Sequence, residues 1–98
     1  MAFVQIRTYS TSDRAAFDEV EREWIEDTEG VRTVHRRMLL EDRDTPGRYV
    51  ELMFFDSYED AMHNSMLPAT STISGRAAAL TADGFEFQNL HVRRDEQL

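Results

Sequence analysis

Three polar residues stand in stretches that otherwise have the pattern of strands, and they are the first candidates for chemistry. Gln5 and Arg7 lie in the alternating stretch 3–9, and Glu51 lies in the apolar stretch 49–56. Burial on an apolar face would raise the pKa of a carboxyl group, which suits Glu51 to proton abstraction. Gln5 and Arg7 could hold a carbonyl or phenolate oxygen. We therefore predict Glu51 and Gln5 as catalytic residues and Arg7 as a ligand-pocket residue.

Each of these assignments has a structural alternative. Arg37 and Glu51 could orient a ligand, or they could form an ordinary cross-strand ion pair, which contributes less than about 1 kcal/mol. Gln5 and Arg7 could equally make hydrogen bonds between two subunits, because buried polar groups need partners.

The register of the hairpin formed by residues 31–56 decides the position of one histidine. If Arg37 lies opposite Glu51, then His35 lies opposite Met53 and shares the face that carries Glu51. A slip of one residue would turn His35 and Arg37 to the other face, because side chains alternate along a strand.

The three histidines give no metal-binding pattern. His35 and His91 lie in predicted strands, and His63 lies early in a predicted helix. None belongs to an HxxxH or HExxH pair, so no metal site is predicted. We interpret His63 as a solvated histidine, with a haem ligand as the minor alternative. The sequence has no cysteine and no lysine, which excludes thiolate nucleophiles, disulfides and lysine Schiff bases.

Length and charge limit the classes of protein and partner. The chain has 98 residues and a formal net charge of −8. One domain is therefore expected, and nucleic acids and anionic membranes are disfavoured as partners. The N-terminal residues lack the charged start and apolar core of a signal peptide, and no apolar run approaches the roughly 18 residues of a membrane span. We expect a soluble cytoplasmic protein.

Hydrophobic periodicity and turn residues predict seven segments of secondary structure. Strands are expected at residues 3–9, 31–40, 49–56 and 85–92. A helix is expected to follow the cap oxygens of residues 10–13 and to end at 28–30; another begins after Ser57 and is interrupted at Pro68, and a third covers 69–82. Ser57 suits an N-cap, and Pro68 suits the first turn of a helix.

This order predicts the fold class. Strand, helix, two strands, a broken helical segment and a last strand give βαββαβ, the ferredoxin-like arrangement of the α+β class. A four-stranded antiparallel sheet with the helices on one face follows from it. We assign residues 1–93 to this single domain and residues 94–98 to a short polar tail.

Alternation along the strands separates two faces of the sheet. The face that we expect the helices to cover is mainly aliphatic: Val4, Ile6, Val50, Leu52, Phe54, Leu90 and Val92. The opposite face is aromatic with some polar residues: Phe3, Gln5, Arg7, Tyr9, Tyr49, Glu51, Met53, Phe55 and Phe87. This much aromatic surface is costly to leave in water. We therefore predict that a second copy covers it and forms an isologous homodimer through the sheet face.

The polar residues on the aromatic face predict a cavity that is half apolar and half polar. We expect this cavity either between the sheet and its mate or between the sheet and the helices. A hydrophobic or aromatic small molecule is the expected occupant. The predicted ligand-pocket residues are Phe3, Arg7, His35, Arg37, Met53, Phe55, His63 and Phe87.

The C-terminal half of the chain resembles a known family. The residues that carry the resemblance are DSYEDAMHNS (56–65), LPAT (67–70), ADG (82–84) and FEFQNLHV (85–92). In this order they are similar to the antibiotic-biosynthesis-monooxygenase-like domains, which form dimeric α/β barrels. Some members of that family oxidise aromatic polyketides without a cofactor, others bind and degrade haem, and many have no known activity.

The resemblance also implies where site residues would lie. The two active types are associated with a pocket asparagine on the first strand and a tryptophan between the third strand and the next helix, and the haem degraders add a histidine on that helical segment. This chain has Gln5 on its first strand, Phe55 on its third, and His63 and Asn64 on the helix. Its one tryptophan, Trp24, lies on the first helix.

The resemblance implies a cofactor-independent, monooxygenase-like enzyme that acts on an aromatic or polyketide-like small molecule. No cofactor is predicted, and haem bound through His63 is the minor alternative. The main alternative is a non-catalytic small-molecule-binding or assembly module, because the family's tryptophan position is not filled and no strong acid–base constellation is evident.

Overall fold

Four strands and three helices build the chain, which a computed structural model describes over residues 1–98. The elements are β1 (Phe3–Ser10), α1 (Arg14–Asp27), β2 (Arg36–Glu41), β3 (Arg48–Phe55), α2 (Tyr58–Ser65), α3 (Pro68–Ala78) and β4 (Glu86–His91). The strands form one antiparallel sheet in the order β2-β3-β1-β4. The predicted α+β, ferredoxin-like βαββαβ fold is confirmed, with the second helical segment divided into α2 and α3.

Local signals in the sequence explain where the helices begin. The Asp13 side chain accepts a hydrogen bond from the Ala16 backbone N–H at 3.0 Å, and so caps α1. Ser57 caps α2 in the same way, accepting from the Asp60 N–H at 3.1 Å. Pro68 starts α3, where its missing N–H leaves no hydrogen bond unmade. These caps fix the helix starts before any packing is considered.

The second strand is shorter than predicted, because Thr33 binds to a helix instead of to the sheet. The Thr33 backbone N–H donates to Asn64 Oδ1 at 3.2 Å, and the Thr33 hydroxyl donates to the Asp60 carbonyl at 2.5 Å. These bonds tie the segment to α2 and delay the strand until Arg36.

Helix α3 also ends earlier than predicted, at Ala78. The Thr81 hydroxyl donates to the Ala78 carbonyl at 2.7 Å and accepts from the Gly84 N–H at 2.8 Å. The turn after the helix is therefore closed by side-chain bonds, and the weak helix formers of α3 do not extend beyond it.

The assignment of the two sheet faces was wrong, because the helices cover the aromatic face. Two buried clusters lie on that side, and they combine strand residues with helix residues: Tyr9, Phe17, Val20, Tyr49, Ile73 and Ala77 in one, and Phe3, Phe55 and Ala61 in the other. The predicted second copy is therefore not needed on this face. The chain's own helices bury it.

Long side chains suit this face because α1 and α3 stand away from the sheet. These two helices pack against each other, and α2 is the helix whose backbone lies close to β1 and β3. Aromatic rings bridge the wider gap: the Tyr9 ring stacks on the Phe17 ring of α1 with 4.4 Å between centroids. The rings fill the two ends of the gap and leave its middle open.

The opposite, helix-free face carries the aliphatic set. Strand pairing places these apolar residues on it: Val4, Ile6, Met38, Leu40, Val50, Leu52, Phe54 and Leu90. Leu40 and Leu90 are both 42% exposed. Separately, none of the three helices has the length and apolar character needed to cross a bilayer.

Candidate functional site

A cavity of about 460 Å³ occupies the open middle of the gap between the sheet and the helices. Its apolar wall comes mainly from the helices: Val20 and Trp24 of α1, Met62 of α2, and Ile73 and Ala77 of α3. Met53 and Phe55 extend this wall onto β3. The volume lies in the range that holds small organic ligands.

Four charged residues form the polar wall of the cavity, and they are joined in one ionic network. Arg7 lies directly opposite Glu51 in the β1–β3 pairing, and Arg7 Nη2 donates to Glu51 Oε1 at 2.8 Å. The same nitrogen donates to Glu21 Oε1 of α1. Arg37 Nη1 of β2 donates to the other Glu21 oxygen. We call Arg7, Glu21, Arg37 and Glu51 the ionic network.

Glu51 is the most deeply buried member of the ionic network. Its side chain is 2% exposed, compared with 11% for Arg7, 12% for Glu21 and 32% for Arg37. Burial raises the pKa of the Glu51 carboxyl; Arg7 opposes this effect, and the negative charge of Glu21 adds to it. The net direction is upward, so Glu51 is a stronger base than an exposed carboxylate.

Arg7 is held tightly but has unused hydrogen-bonding capacity. Burial lowers its pKa, but the charges of Glu51 and Glu21 outweigh burial, and the net pKa is raised. The guanidinium carbon lies 4.5 Å from the centre of the Phe85 ring. Its Nε is buried without a hydrogen-bond partner and is the only side-chain nitrogen or oxygen in that condition. Arg7 is therefore a permanent cation on the cavity wall.

The amide of Gln5 lies at another part of the wall, beside the edge strand. Gln5 Nε2 donates to Asn89 Oδ1 of β4 at 3.0 Å, and both residues line the cavity. Phe87, which is 53% exposed, lies next to them. This amide pair is more open to solvent than the ionic network and marks an approach to the cavity.

The cavity brings together most of the residues predicted for the site. Seven of the ten line it: Gln5, Arg7, Arg37, Glu51, Met53, Phe55 and Phe87. Of the two places considered for the cavity, the gap between sheet and helices is where these residues meet. Their roles remain predictions, because lining a cavity does not itself establish chemistry.

Three predicted pocket residues lie outside the cavity. Phe3 is 2% exposed and is buried between Phe55 and Ala61 in the core. His35 has a side chain that is 53% exposed, with its Nε2 3.4 Å from Asp56 Oδ1. His63 is exposed on α2. The prediction that these three residues line the pocket was wrong.

The pairing of β2 with β3, which the sequence left open, differs by two residues from the one that would put Arg37 opposite Glu51. Arg37 lies opposite Met53, and the residue opposite Glu51 on β2 is Leu39. A shift of two keeps Arg37 on the cavity face, since alternation has period two. It also places His35 beyond the end of the strand, where the chain turns toward α2. Glu51 therefore pairs with Arg7 and not with Arg37.

Several cavity residues were not predicted, and Glu21 is the most important. It lies four residues after Phe17, on the buried side of α1, so a carboxylate on the inner stripe of the helix was the available signal. Trp24, interpreted from the sequence as a core residue, lines the cavity, and its Nε1 donates to the Thr70 hydroxyl at 2.9 Å. Asn64 and Ser74 also line the cavity.

The donor set does not favour a metal or haem. No group of three or more His, Cys, Asp and Glu side chains is arranged to hold a metal ion. No histidine lines the cavity, and the exposed His63 is not directed to it. A haem ligand at His63, the minor alternative, does not fit this geometry, and we derive no chemistry from it.

Comparisons with known proteins give a fold but no sequence family. No family profile matches the chain, and no curated protein matches it. Solved structures do match. SnoaB, a cofactor-independent oxygenase from Streptomyces nogalater, is 16% identical, with a TM-score of 0.80 over 96% of this chain and 95% of that chain. A proposed antibiotic biosynthesis monooxygenase from Nitrosomonas europaea is 20% identical, with a TM-score of 0.77 over 94% of this chain and 90% of that chain.

A third solved structure has the same fold over the whole chain. A protein from Mycobacterium tuberculosis is 14% identical, with a TM-score of 0.80 over 99% of this chain and 100% of that chain. At this level of identity the likeness establishes the fold alone. The chain has the fold of the antibiotic-biosynthesis-monooxygenase-like domains, as its strand–helix order and C-terminal motifs predict.

Proposed function

We propose that this protein is a cofactor-independent, monooxygenase-like enzyme that acts on an aromatic or polyketide-like small molecule. The observation that carries the proposal is Glu51, a carboxylate that is 2% exposed, has a raised pKa and lines a largely apolar cavity of about 460 Å³. The fold shared with SnoaB supports the same class of reaction. The cavity's size and its Trp24 and Phe55 walls favour a planar ligand.

In the proposed reaction, Glu51 removes a proton from an acidic ligand C–H that is activated by a neighbouring carbonyl. Arg7 and the amide of Gln5 stabilise the negative charge that develops on the carbonyl oxygen. The resulting carbanion reacts with O₂, which forms a carbon–oxygen bond. The peroxide takes the proton back from Glu51, and loss of water leaves a new carbonyl group. One O₂ is consumed and one water is released per product.

The apolar wall has a defined part in this proposal. A charge on the ligand is shielded from water by Val20, Ile73 and Met62, so its interaction with Arg7 is stronger than it would be in bulk solvent. The same surroundings raise the pKa of Glu51. One environment therefore favours both the base and the stabilisation of the anion.

Anthrone is a suitable probe, since its CH₂ group is acidified by a carbonyl and two rings. The measurement is O₂ uptake together with anthraquinone formation, after subtraction of the uncatalysed rate. We expect Glu51→Gln to reduce turnover by about 10²-fold or more, the usual contribution of a general base. Glu23→Gln is the matched control, because it makes the same chemical change at a carboxylate that pairs with Arg76 at the surface. Equal rates in wild type and Glu51→Gln would contradict the proposal.

A non-catalytic binding module is the second candidate, and the ionic network favours it. Two arginines and two glutamates balance in charge, so Glu51 could be neutralised by its partners. Trp24 is the only tryptophan and lines the cavity, so its fluorescence reports binding directly. Quenching by anthraquinone, without any anthrone turnover, would favour this candidate over the enzyme.

The proposal includes a homodimer, now through the helix-free face of the sheet. What supports it is the aliphatic surface that no helix covers, including Ile6, Leu52 and Phe54. A contiguous apolar face that no helix covers is typical of an interaction surface. A dimer formed there would leave the cavity on the far side of each sheet.

A further inference from the structure

A second, smaller cavity of about 320 Å³ lies against the ionic network. It shares Glu21, Arg37 and Glu51 with the main cavity, and its remaining wall is formed by α1 and by Leu39 of β2. The ionic network therefore separates the two cavities: the main cavity, on one side, is largely apolar, and the smaller cavity, on the other side, is lined mostly by charged residues. Glu51 can be reached from both.

Glu21 lies between the two arginines of the ionic network. Its Oε1 accepts from Arg7 Nη2, the same nitrogen that donates to Glu51 at 2.8 Å. Its Oε2 accepts from Arg37 Nη1. Arg37 therefore holds Glu21 at the position where it competes with Glu51 for Arg7. If Arg7 bound Glu51 alone, through two hydrogen bonds, the ion pair would be stronger than the one found here, in which Glu51 shares a single Arg7 nitrogen with Glu21.

We propose that Glu21 is a positioning residue for Glu51: by occupying part of Arg7, it leaves the Glu51 carboxylate able to accept a proton from a ligand. This rests on the proposed function, in which Glu51 is the base. Without Glu21, two cations would face one carboxylate, and Glu51 would be held as a permanently ionised partner of Arg7.

The charges that face Glu51 come from three elements only. Strand β1 supplies Arg7, strand β2 supplies Arg37, and helix α1 supplies Glu21. Tyr9 of β1 is also close to Glu51, but its raised pKa keeps it neutral. Helix α1 also brings further charged groups to the smaller cavity: Arg14, Asp18 and Arg22. The polar groups that α2, α3 and β4 bring to the main cavity are uncharged: Asn64, Ser65, Thr70, Ser71, Ser74 and Asn89. Glu21 is thus the nearest negative charge to Glu51.

The test measures protonation of Glu51 without any substrate. In protein labelled with ¹³C at the glutamate carboxyls, the signal lost in Glu51→Gln identifies Glu51, and its titration midpoint is followed in each variant. We expect Glu21→Gln to lower the midpoint by about 1 pH unit or more, a tenfold change in proton affinity, because a like charge is removed. Arg37→Met should raise the midpoint, because a cation is removed while Glu21 keeps its bond to Arg7. Glu23→Gln, at a carboxylate that pairs with Arg76 of α3 and does not line either cavity, should leave it unchanged.

Opposite shifts in Glu21→Gln and Arg37→Met would support the proposal, since a merely structural role would not give two signs. An unchanged or raised midpoint in Glu21→Gln would overturn it. Anthrone turnover is measured separately. If Glu51→Gln keeps full turnover while the midpoints shift as expected, the proposed function fails and the coupling of Glu21 to Glu51 stands.

Discussion

Tyr9 is a buried tyrosine beside the ionic network, and its surroundings favour the neutral form. The residue is 3% exposed and its ring stacks on Phe17. Burial raises its pKa to about 12, although Arg14 Nη1, which donates to the Tyr9 hydroxyl at 2.6 Å, acts in the opposite direction. A phenolate at this position would lie in an apolar core, near Glu51.

We predict that Tyr9→Phe removes the highest step from the alkaline titration of the tyrosines. The folded protein keeps the Tyr9 proton up to about pH 12, while an unfolded tyrosine loses it near 10.0. Between these values the folded state binds more protons, so stability falls as pH rises. Phenolate absorbance measures the step, and Tyr58→Phe, at an exposed tyrosine, should retain it. A high step that persists in Tyr9→Phe would contradict the assignment.

At the scale of residues, the sequence predicts which polar side chains line the cavity better than it predicts which residues they pair with. Glu51 and Arg7 are visible as polar positions in apolar strands, and both line the cavity. Their pairing depends on which residues β1 and β3 bring opposite each other, and this is a property of the sheet. Glu21 lies in a helix with many glutamates, where one inward carboxylate has little to distinguish it. Register and helix rotation are tertiary information.

At the scale of elements, alternation shows which residues share a face but not which face receives the helices. Both faces here are apolar enough to be buried. We expected the aliphatic face under the helices, but the aromatic one is there. The wide gap between α1 and the sheet suits rings such as Tyr9, and the gap's size is set by helix packing. A pattern with period two carries no measure of that distance.

Helix α3 allows a test of how helix propensity contributes to the stability of the protein, because it contains a glycine that the fold does not require. A Cβ added at Gly75 would meet nothing within 4 Å. We predict that Gly75→Ala stabilises the protein by about 0.5–1 kcal/mol, since alanine loses less conformational freedom in a helix. Urea unfolding measures the change.

Gly47 provides the opposite case within the same experiment. Its φ of +88° is unfavourable for other residues, and an added Cβ would lie 3.3 Å from the Thr11 carbonyl oxygen. Gly47→Ala should therefore destabilise the protein by about 1 kcal/mol or more. If Gly75→Ala destabilised the protein, the account of α3 would be wrong, and if Gly47→Ala stabilised it, the account of the Gly47 turn would be wrong.

At the scale of the whole molecule, the exchange of the two faces changes what a dimer would do. A second copy on the aromatic face would have enclosed the cavity and contributed to it. On the helix-free face it would cover Ile6, Leu52 and Phe54 and leave the cavity to one subunit. In that arrangement the cavity is complete within each chain. We therefore expect dimerisation to change the free energy of unfolding more than it changes the affinity of the cavity for a ligand.

We predict that Leu52→Arg converts a dimer into a monomer. Leu52 lies between Ile6 and Met38 in the middle of the helix-free face. In an isologous interface the substitution occurs twice, so two unpaired charges would be buried close together. Sedimentation equilibrium at micromolar concentration measures the mass. Met66→Arg is the matched control, since Met66 is 80% exposed at the junction of α2 and α3 and should leave association unchanged.

The Leu52→Arg variant also shows whether dimerisation is needed for ligand binding. Because Leu52 points away from the cavity, the monomeric variant should still show quenching of Trp24 by anthraquinone with little change in affinity. If Leu52→Arg remained dimeric, or if the wild-type chain sedimented as a monomer, the helix-free face would not be the interface. If dissociation abolished quenching, the cavity would depend on the second subunit, contrary to its enclosure between one sheet and its own helices.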